Sequence, residues 1–252
     1  MSADGSTLSP PSSRTEGVAI EDFQFLEARA TVYDLLARLY TYPLDEAALD
    51  AVAALSVEDA PDEVAEALDV MQTRIAAAPE RVPFVEALNI ESTRLFEGPG
   101  QPATPPYASF YLNEGRLMGS AALAARRAYL AWNARPRDDG RVPPDHLALE
   151  LGFMAHLAHA AAGASDGEAA RSHSDSAEFL DEHLLTWVPR FGDEVARATS
   201  HPFFVGLANL TTAILEADEA WLREALADLG ISDQVKVTRR ASTLEGDGDE
   251  EA

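Results

Sequence analysis

Residues 142–160 read VPPDHLALELGFMAHLAHA and place Asp145, His146, Glu150, His156 and His159 along what the spacing predicts is one helix. Imidazoles and carboxylates in such a pattern are the raw material of metal sites and of acid–base catalysis. A metal needs ligands that converge. His156 and His159, at i, i+3, can share a face, and so can His146 and Glu150, at i, i+4. Glu150 and His159 are about two and a half turns apart, so this helix cannot gather four ligands alone. The HExxH order of zinc proteases is absent, as is the ExxH spacing of di-iron bundles. For His156 and His159 the spacing points instead to a partly exposed face with an interhelical hydrogen bond.

Asp145 and His146 form a different pair. Asp145 follows Pro143 and Pro144 and therefore reads as the start and N-cap of the helix, a role worth ~1 kcal/mol. His146 would project from the first turn beside it. A rigid helix start of this kind presents backbone N–H groups, an imidazole and a carboxylate to whatever docks there. No serine stands in a strand–turn–helix elbow, so an Asp–His hydrolase is unsupported. No glycine-rich loop with a lysine is present to cradle phosphates. The residues thus predict a binding surface without catalytic machinery, metal or cofactor.

The elements that must position this pair are helical throughout. Val32, Leu35, Leu36 and Leu39 fall at i, i+3, i+4, i+7, and Val64, Leu68, Met71 and Ile75 form a second stripe. Phe84, Leu88 and Leu95 make a third. Pro61 suits a helix first turn, Ser120 a cap for a helix reaching Trp132, and Trp221, Leu222, Leu226 and Leu229 close the last helix before Gly230. No strand alternation or fixed repeat interrupts them. The fold class read from this is all-α, one compact multi-helix domain over residues 21–230. Residues 1–20, rich in Ser and Pro, and the acidic segment 231–252 are read as disordered flanks. Residues 98–119, GPGQPATPPYASFYLNEGRLMG, break the rhythm. A Pro/Gly loop this long in a compact domain usually has a task, and Tyr107, Phe110 and Tyr111 are more than a linker needs.

The chain has 252 residues with 43 acids against 19 bases, a formal charge of −24, and a single lysine, Lys236. Such a chain repels nucleic acid and anionic membranes except through a local basic patch. Acidity with an ordinary apolar share of 46% describes a folded core under an acidic surface. It is the pattern of a high-salt, halophilic cytoplasm, where carboxylates are screened within a few ångströms. Zero cysteines exclude disulfides and thiolate ligation. The opening MSADGSTLSPPSSRTEGVAI has neither a basic n-region nor an apolar core, so a cytoplasmic location is expected.

Five stretches in order resemble one family, the TorD/DmsD/NarJ-type redox-enzyme maturation chaperones: LLARLYTYPLDEAAL (35–49), ESTRLFEGPG (91–100), PPYASFYL (105–112), PPDHLALELGFMAHLA (143–158) and EFLDEHLLTWVPRF (178–191). The resemblance implies an all-α TorD-like fold and no enzymatic chemistry. It implies a cytoplasmic chaperone, monomer or homodimer, that binds the twin-arginine leader and the apo catalytic subunit of a molybdopterin oxidoreductase of the DMSO, TMAO or nitrate reductase type. That subunit is held until its cofactor is inserted. Carried onto this chain, the leader-binding residues are Pro143, Asp145 and His146, with Leu95 and Phe96 before the loop, Tyr107 and Ser109 in it, and Tyr40 near the first helix end. Gly152 departs from the family, which usually has an acid there, and Trp132-Asn133 replaces a common glycine. Two other classes remain open on the residues alone: a helical metal-dependent enzyme using His146 and Glu150, and a structural subunit of a respiratory complex.

The charge generates a prediction of its own. Dilution from molar to ~0.1 M salt, where the Debye length is ~10 Å, should unfold the chain as carboxylates repel. Helical circular dichroism that does not change across that range contradicts the halophilic reading.

Overall fold

The computed structural model describes residues 14–56, 60–98, 100–113, 115–135 and 141–231, with side chains from Phe23 onward. Its helices are α1 (Arg14–Leu39), α2 (Glu46–Ala54), α3 (Asp62–Ala76), α4 (Arg81–Ser92), α5 (Ala108–Leu112), α6 (Ser120–Ala131), α7 (Leu147–Ala161), α8 (Asp166–Phe179), α9 (Leu185–Ala198) and α10 (Pro202–Asp228). Single π-helical turns, Thr93–Glu97 and Leu180–Leu184, extend α4 and join α8 to α9. An isolated antiparallel β-bridge joins Tyr107 to His146. No described helix is long and apolar enough to cross a membrane.

The chain folds this way because α7 buries most of its circumference, leaving only a narrow strip with His156 and His159 exposed. Leu147, Leu151, Met154, Leu157 and Ala158 are fully buried, and Phe153, Ala155 and Ala161 nearly so. A helix apolar over most of its circumference must be packed on several sides. It packs on α1 along one side and α8 along the other, while α10 packs on α3, α9 and α8. Close crossing of α10 and α3 depends on Gly206. A Cβ there would stand 2.8 Å from the Met71 Cγ and 3.1 Å from the Ala67 carbonyl oxygen. The stripes read from the sequence are the ones buried: Leu36, Leu39, Val64, Leu68, Met71, Ile75, Phe84 and Leu88.

Several boundaries differ from the sequence reading. The backbone of α1 is helical from Arg14, so the expected boundary at residue 20 falls inside a helix; residues 1–13 and 232–252 lie outside the described residues. Ser120 is the first residue of α6 and makes no side-chain cap. The segment 98–119 is not all loop, because it contains α5. Asp145 is not the cap of α7. That position belongs to His146, whose ring accepts the Ala148 N–H.

One polar element spans the fold. The Arg29 guanidinium donates to both oxygens of Asp218 at 2.6 and 2.8 Å, and the Tyr33 hydroxyl donates to the same carboxylate at 2.6 Å. The pair ties α1 to α10 with both side chains under a tenth exposed. Asp218→Ala strands the Arg29 cation in the interior, so stability should fall by about 3–5 kcal/mol. Tyr33→Phe, which leaves the ion pair intact, should cost only ~1 kcal/mol. Urea titration of the two variants checks this, and equal losses would contradict it.

Candidate functional site

The site is built where the Pro-rich loop meets the start of α7. Pro143 and Pro144 cannot continue a helix and turn the chain sharply, with the His146 N–H donating to the Pro143 carbonyl at 3.1 Å. The Tyr129 hydroxyl fixes that turn by donating to the Pro144 carbonyl at 2.7 Å. The loop then pairs with the turn in both directions. Ala108 N–H donates to the Asp145 carbonyl at 3.0 Å, and Leu147 N–H donates to the Pro106 carbonyl at 2.9 Å.

Asp145 closes the clasp. Its side chain is fully buried, and Oδ2 accepts the Ser109 N–H at 2.7 Å. Ser109 stands in the first turn of α5, where backbone N–H groups lack an intrahelical partner. The carboxylate therefore caps α5 from 36 positions away, and not its own helix. His146 performs the local capping instead, through Nδ1 at 3.1 Å from the Ala148 nitrogen. That bond requires an unprotonated Nδ1. Burial agrees, because it lowers the His146 pKa to about 4. The Tyr107 ring meets the imidazole edge-on, 4.9 Å between centroids, and is itself only half-buried.

A second polar layer lies beneath. Glu150 is fully buried; Trp187 Nε1 donates to its Oε2 at 3.1 Å, and His183 Nδ1 lies 3.9 Å from its Oε1. Burial, reinforced by the Asp145 carboxylate and opposed by the Trp187 hydrogen bond, raises the Glu150 carboxyl well above the usual carboxylate range. Burial lowers His183 to about 4. Tyr111 stacks on Trp187 at 5.4 Å, so α5 sits on this layer.

The structure brings Pro143, Asp145, His146, Tyr107 and Ser109 together. It places the other three expected residues elsewhere. Leu95 is fully buried, and its carbonyl accepts both the N–H and the hydroxyl of Thr104, at 2.7 and 3.1 Å, which anchors the loop's entry. Phe96 is in the aromatic core, 5.6 Å from Tyr40, 5.9 Å from Phe191 and 5.9 Å from Phe204. Tyr40 bonds Thr211 at 3.1 Å. Neither Tyr40 nor Phe96 offers a surface, since both are 3% exposed. His156 and His159 lie on an exposed face, and His156 meets the Trp132 carbonyl at 3.2 Å. His146 and Glu150 do not converge on a common ligand, because each is committed to a neighbour within the fold. Among the described residues no three or more His, Asp and Glu are grouped to hold a metal.

One feature escaped the sequence reading. Between α6 and residues 141–149 lies a cleft of about 560 Å³, which Pro143 lines together with Met118, Arg126, Leu130, Arg135, Arg141 and Leu149. Its signal was compositional: residues 115–144 carry six arginines and only two acids.

The family model described as nitrate reductase delta subunit matches residues 56–193. A protein named Chaperone protein TorD from Vibrio cholerae serotype O1 is 32% identical over 127 residues, 49% of this chain and 56% of that protein. The chain thus spans little more than half the length of that relative. A protein of the same name from Aliivibrio salmonicida is 23% identical over 206 residues, covering 79% of this chain and 96% of its own. A crystal structure of a candidate redox enzyme maturation protein from Archaeoglobus fulgidus gives a TM-score of 0.44 at 22% identity, covering 77% of this chain and 93% of that one.

The depressed histidines set a pH limb. Between the ordinary 6.5 and about 4, the unfolded chain binds a proton at His146 that the folded chain refuses. The His146 contribution to stability is therefore whole above pH ~6.5 and falls as pH drops toward 4. His183 adds to the same limb. His146→Gln should make the slope of unfolding free energy shallower by about one proton, ~1.4 kcal/mol per pH unit. Denaturant titrations at four pH values check this, and an unchanged slope contradicts it.

Proposed function

The chain belongs to the nitrate reductase delta subunit family, and from that premise we propose that it is a cytoplasmic maturation chaperone for a molybdopterin oxidoreductase. It binds the twin-arginine leader and the apo catalytic subunit of its client and holds them until cofactor insertion. The observation that carries this reading is the family match over residues 56–193, with relatives named as TorD chaperones. The matched span includes both halves of the clasp.

In this reading the expected residues have different parts. Asp145 and Ser109 are buried and bonded to each other, so they hold the loop on α7 and do not face a ligand. Tyr107 and Pro143 form the accessible rim, with the buried His146 ring packed against Tyr107. An arginine of the leader can stack on the Tyr107 face, and its apolar part can lie on proline and tyrosine. Leu95, Phe96 and Tyr40 act at a distance, by anchoring the loop and filling the core beneath it.

Isothermal calorimetry with leader peptides of the source organism's own molybdopterin oxidoreductases tests the reading. The chain should bind at least one of them. Tyr107→Ala should weaken that binding about thirtyfold, ~2 kcal/mol, with little change in melting temperature. No binding to any such leader overturns the reading. Unchanged affinity in Tyr107→Ala removes the rim from the site.

A further inference from the structure

The cleft beside Pro143 has the wrong charge for an arginine-bearing leader. It is cationic on a chain of net charge −24. The outward face of α6 explains how. Its inner positions Ala122, Ala125 and Tyr129 are buried, whereas Leu123, Arg126, Arg127 and Leu130 are exposed at i, i+3, i+4, i+7. Leu123 and Leu130 are 58% and 61% exposed, and Met118, just before the helix, is 66% exposed. Arg135 and Arg141 complete the cleft from its other wall, and among the described residues no acid lines it. Among the described residues Arg126, Arg135 and Arg141 make no ion pair. A stripe of leucine and arginine left open to water on a protein that is acidic elsewhere marks a surface that something covers.

We propose that this cleft binds the chain's own C-terminal segment, residues 241–252, ASTLEGDGDEEA. The chemistry matches in kind and order. Leu244 can enter between Met118, Leu130 and Leu149. The carboxylates of Glu245, Asp247, Asp249, Glu250 and Glu251 follow it and can pair with three guanidiniums, which bind carboxylates in fork geometry. Nowhere else does the sequence gather so many cations with so few acids, so the rest of the surface repels the segment.

The reach is sufficient. In α10, Trp221 packs on His173 of α8 at 5.3 Å between ring centroids. Two residues on, the Asp175 carboxylate accepts the Trp132 indole N–H at 2.8 Å, at the end of α6 where the cleft begins. One helix diameter, about 10–12 Å, therefore separates α10 from the cleft's edge, and Ile231 lies about 15 Å further along α10. The 13 residues from Ile231 to Leu244 extend to about 45 Å. Because the segment is tethered, its effective concentration is on the order of millimolar, so weak pairing suffices for occupancy. Pro143 belongs to both the cleft and the Tyr107 rim.

The experiment needs no client, so its outcome is separate from the test of leader binding. A fluorescein-labelled ASTLEGDGDEEA peptide is titrated by anisotropy, at the lowest salt that keeps the helical dichroism, into the full chain and into a chain ending at Arg240. The shortened chain should bind the peptide at least tenfold more tightly, because the full chain's own segment competes. Arg126→Glu with Arg135→Glu in the shortened chain should lower that affinity at least tenfold. A peptide with its five acids replaced by Gln and Asn should not bind. Equal binding to both chains, binding to neither, or binding insensitive to the two arginines overturns the proposal.

Discussion

The carboxylate of Asp145, buried and accepting the Ser109 N–H, is the constraint on which the site depends. A buried carboxylate without partners would be costly, and so would the uncapped amides of a five-residue helix. The contact satisfies Oδ2 and the Ser109 amide, while Oδ1 is buried without a hydrogen-bond partner among the described residues. Backbone bonds on either side, Ala108 to Asp145 and Leu147 to Pro106, make the junction a short antiparallel clasp between a loop and a helix start. Prolines at 105, 106, 143 and 144 limit what either strand of the clasp can do when it opens. The result is a rim of Tyr107 and Pro143 backed by the buried His146 ring.

What lies under the clasp decides how firmly it is held. Glu150, Trp187 and His183 form a polar layer inside an aromatic cluster in which Phe191 touches Tyr40, Phe96, Tyr111 and Trp187. Movement of the loop would pull Tyr111 from Trp187 and expose that layer. Burial holds both histidines toward their neutral form and Glu150 toward its neutral acid, so the floor of the site excludes charge. The Arg29–Asp218 pair stands apart from this cluster and joins α1 to α10. Opening at the clasp thus need not loosen the rest of the bundle.

Much of this was legible in the sequence, because helical periodicity reports burial directly. The stripes on α1, α3, α4, α7 and α10 are the core, and Asp145-His146 was identifiable as the pair to watch from its place after two prolines. Its division of labour was not legible. A local rule makes the first acid after Pro-Pro the cap, yet a partner 36 positions away recruited Asp145 and left capping to His146. Tyr40 and Phe96, which the family resemblance implied as leader-binding residues, are buried in the aromatic core, a placement that one sequence does not reveal. The π turns at 93–97 and 180–184 leave no periodicity signal in five residues. Arg29 and Asp218 each read as ordinary surface charges, since nothing local announces a partner 189 positions away. The cationic cleft was readable in composition alone, once charge is counted by window and not by chain.

The central claim is that Asp145 holds the loop onto α7, and amide hydrogen exchange at Ser109 tests it most directly. In the wild-type chain the Ser109 amide should exchange at least a hundredfold more slowly than an unprotected amide. In Asp145→Ala, protection across residues 104–111 should collapse while α10 stays protected. Fast exchange of Ser109 in the wild type, or protection of 104–111 that survives the substitution, would contradict the account.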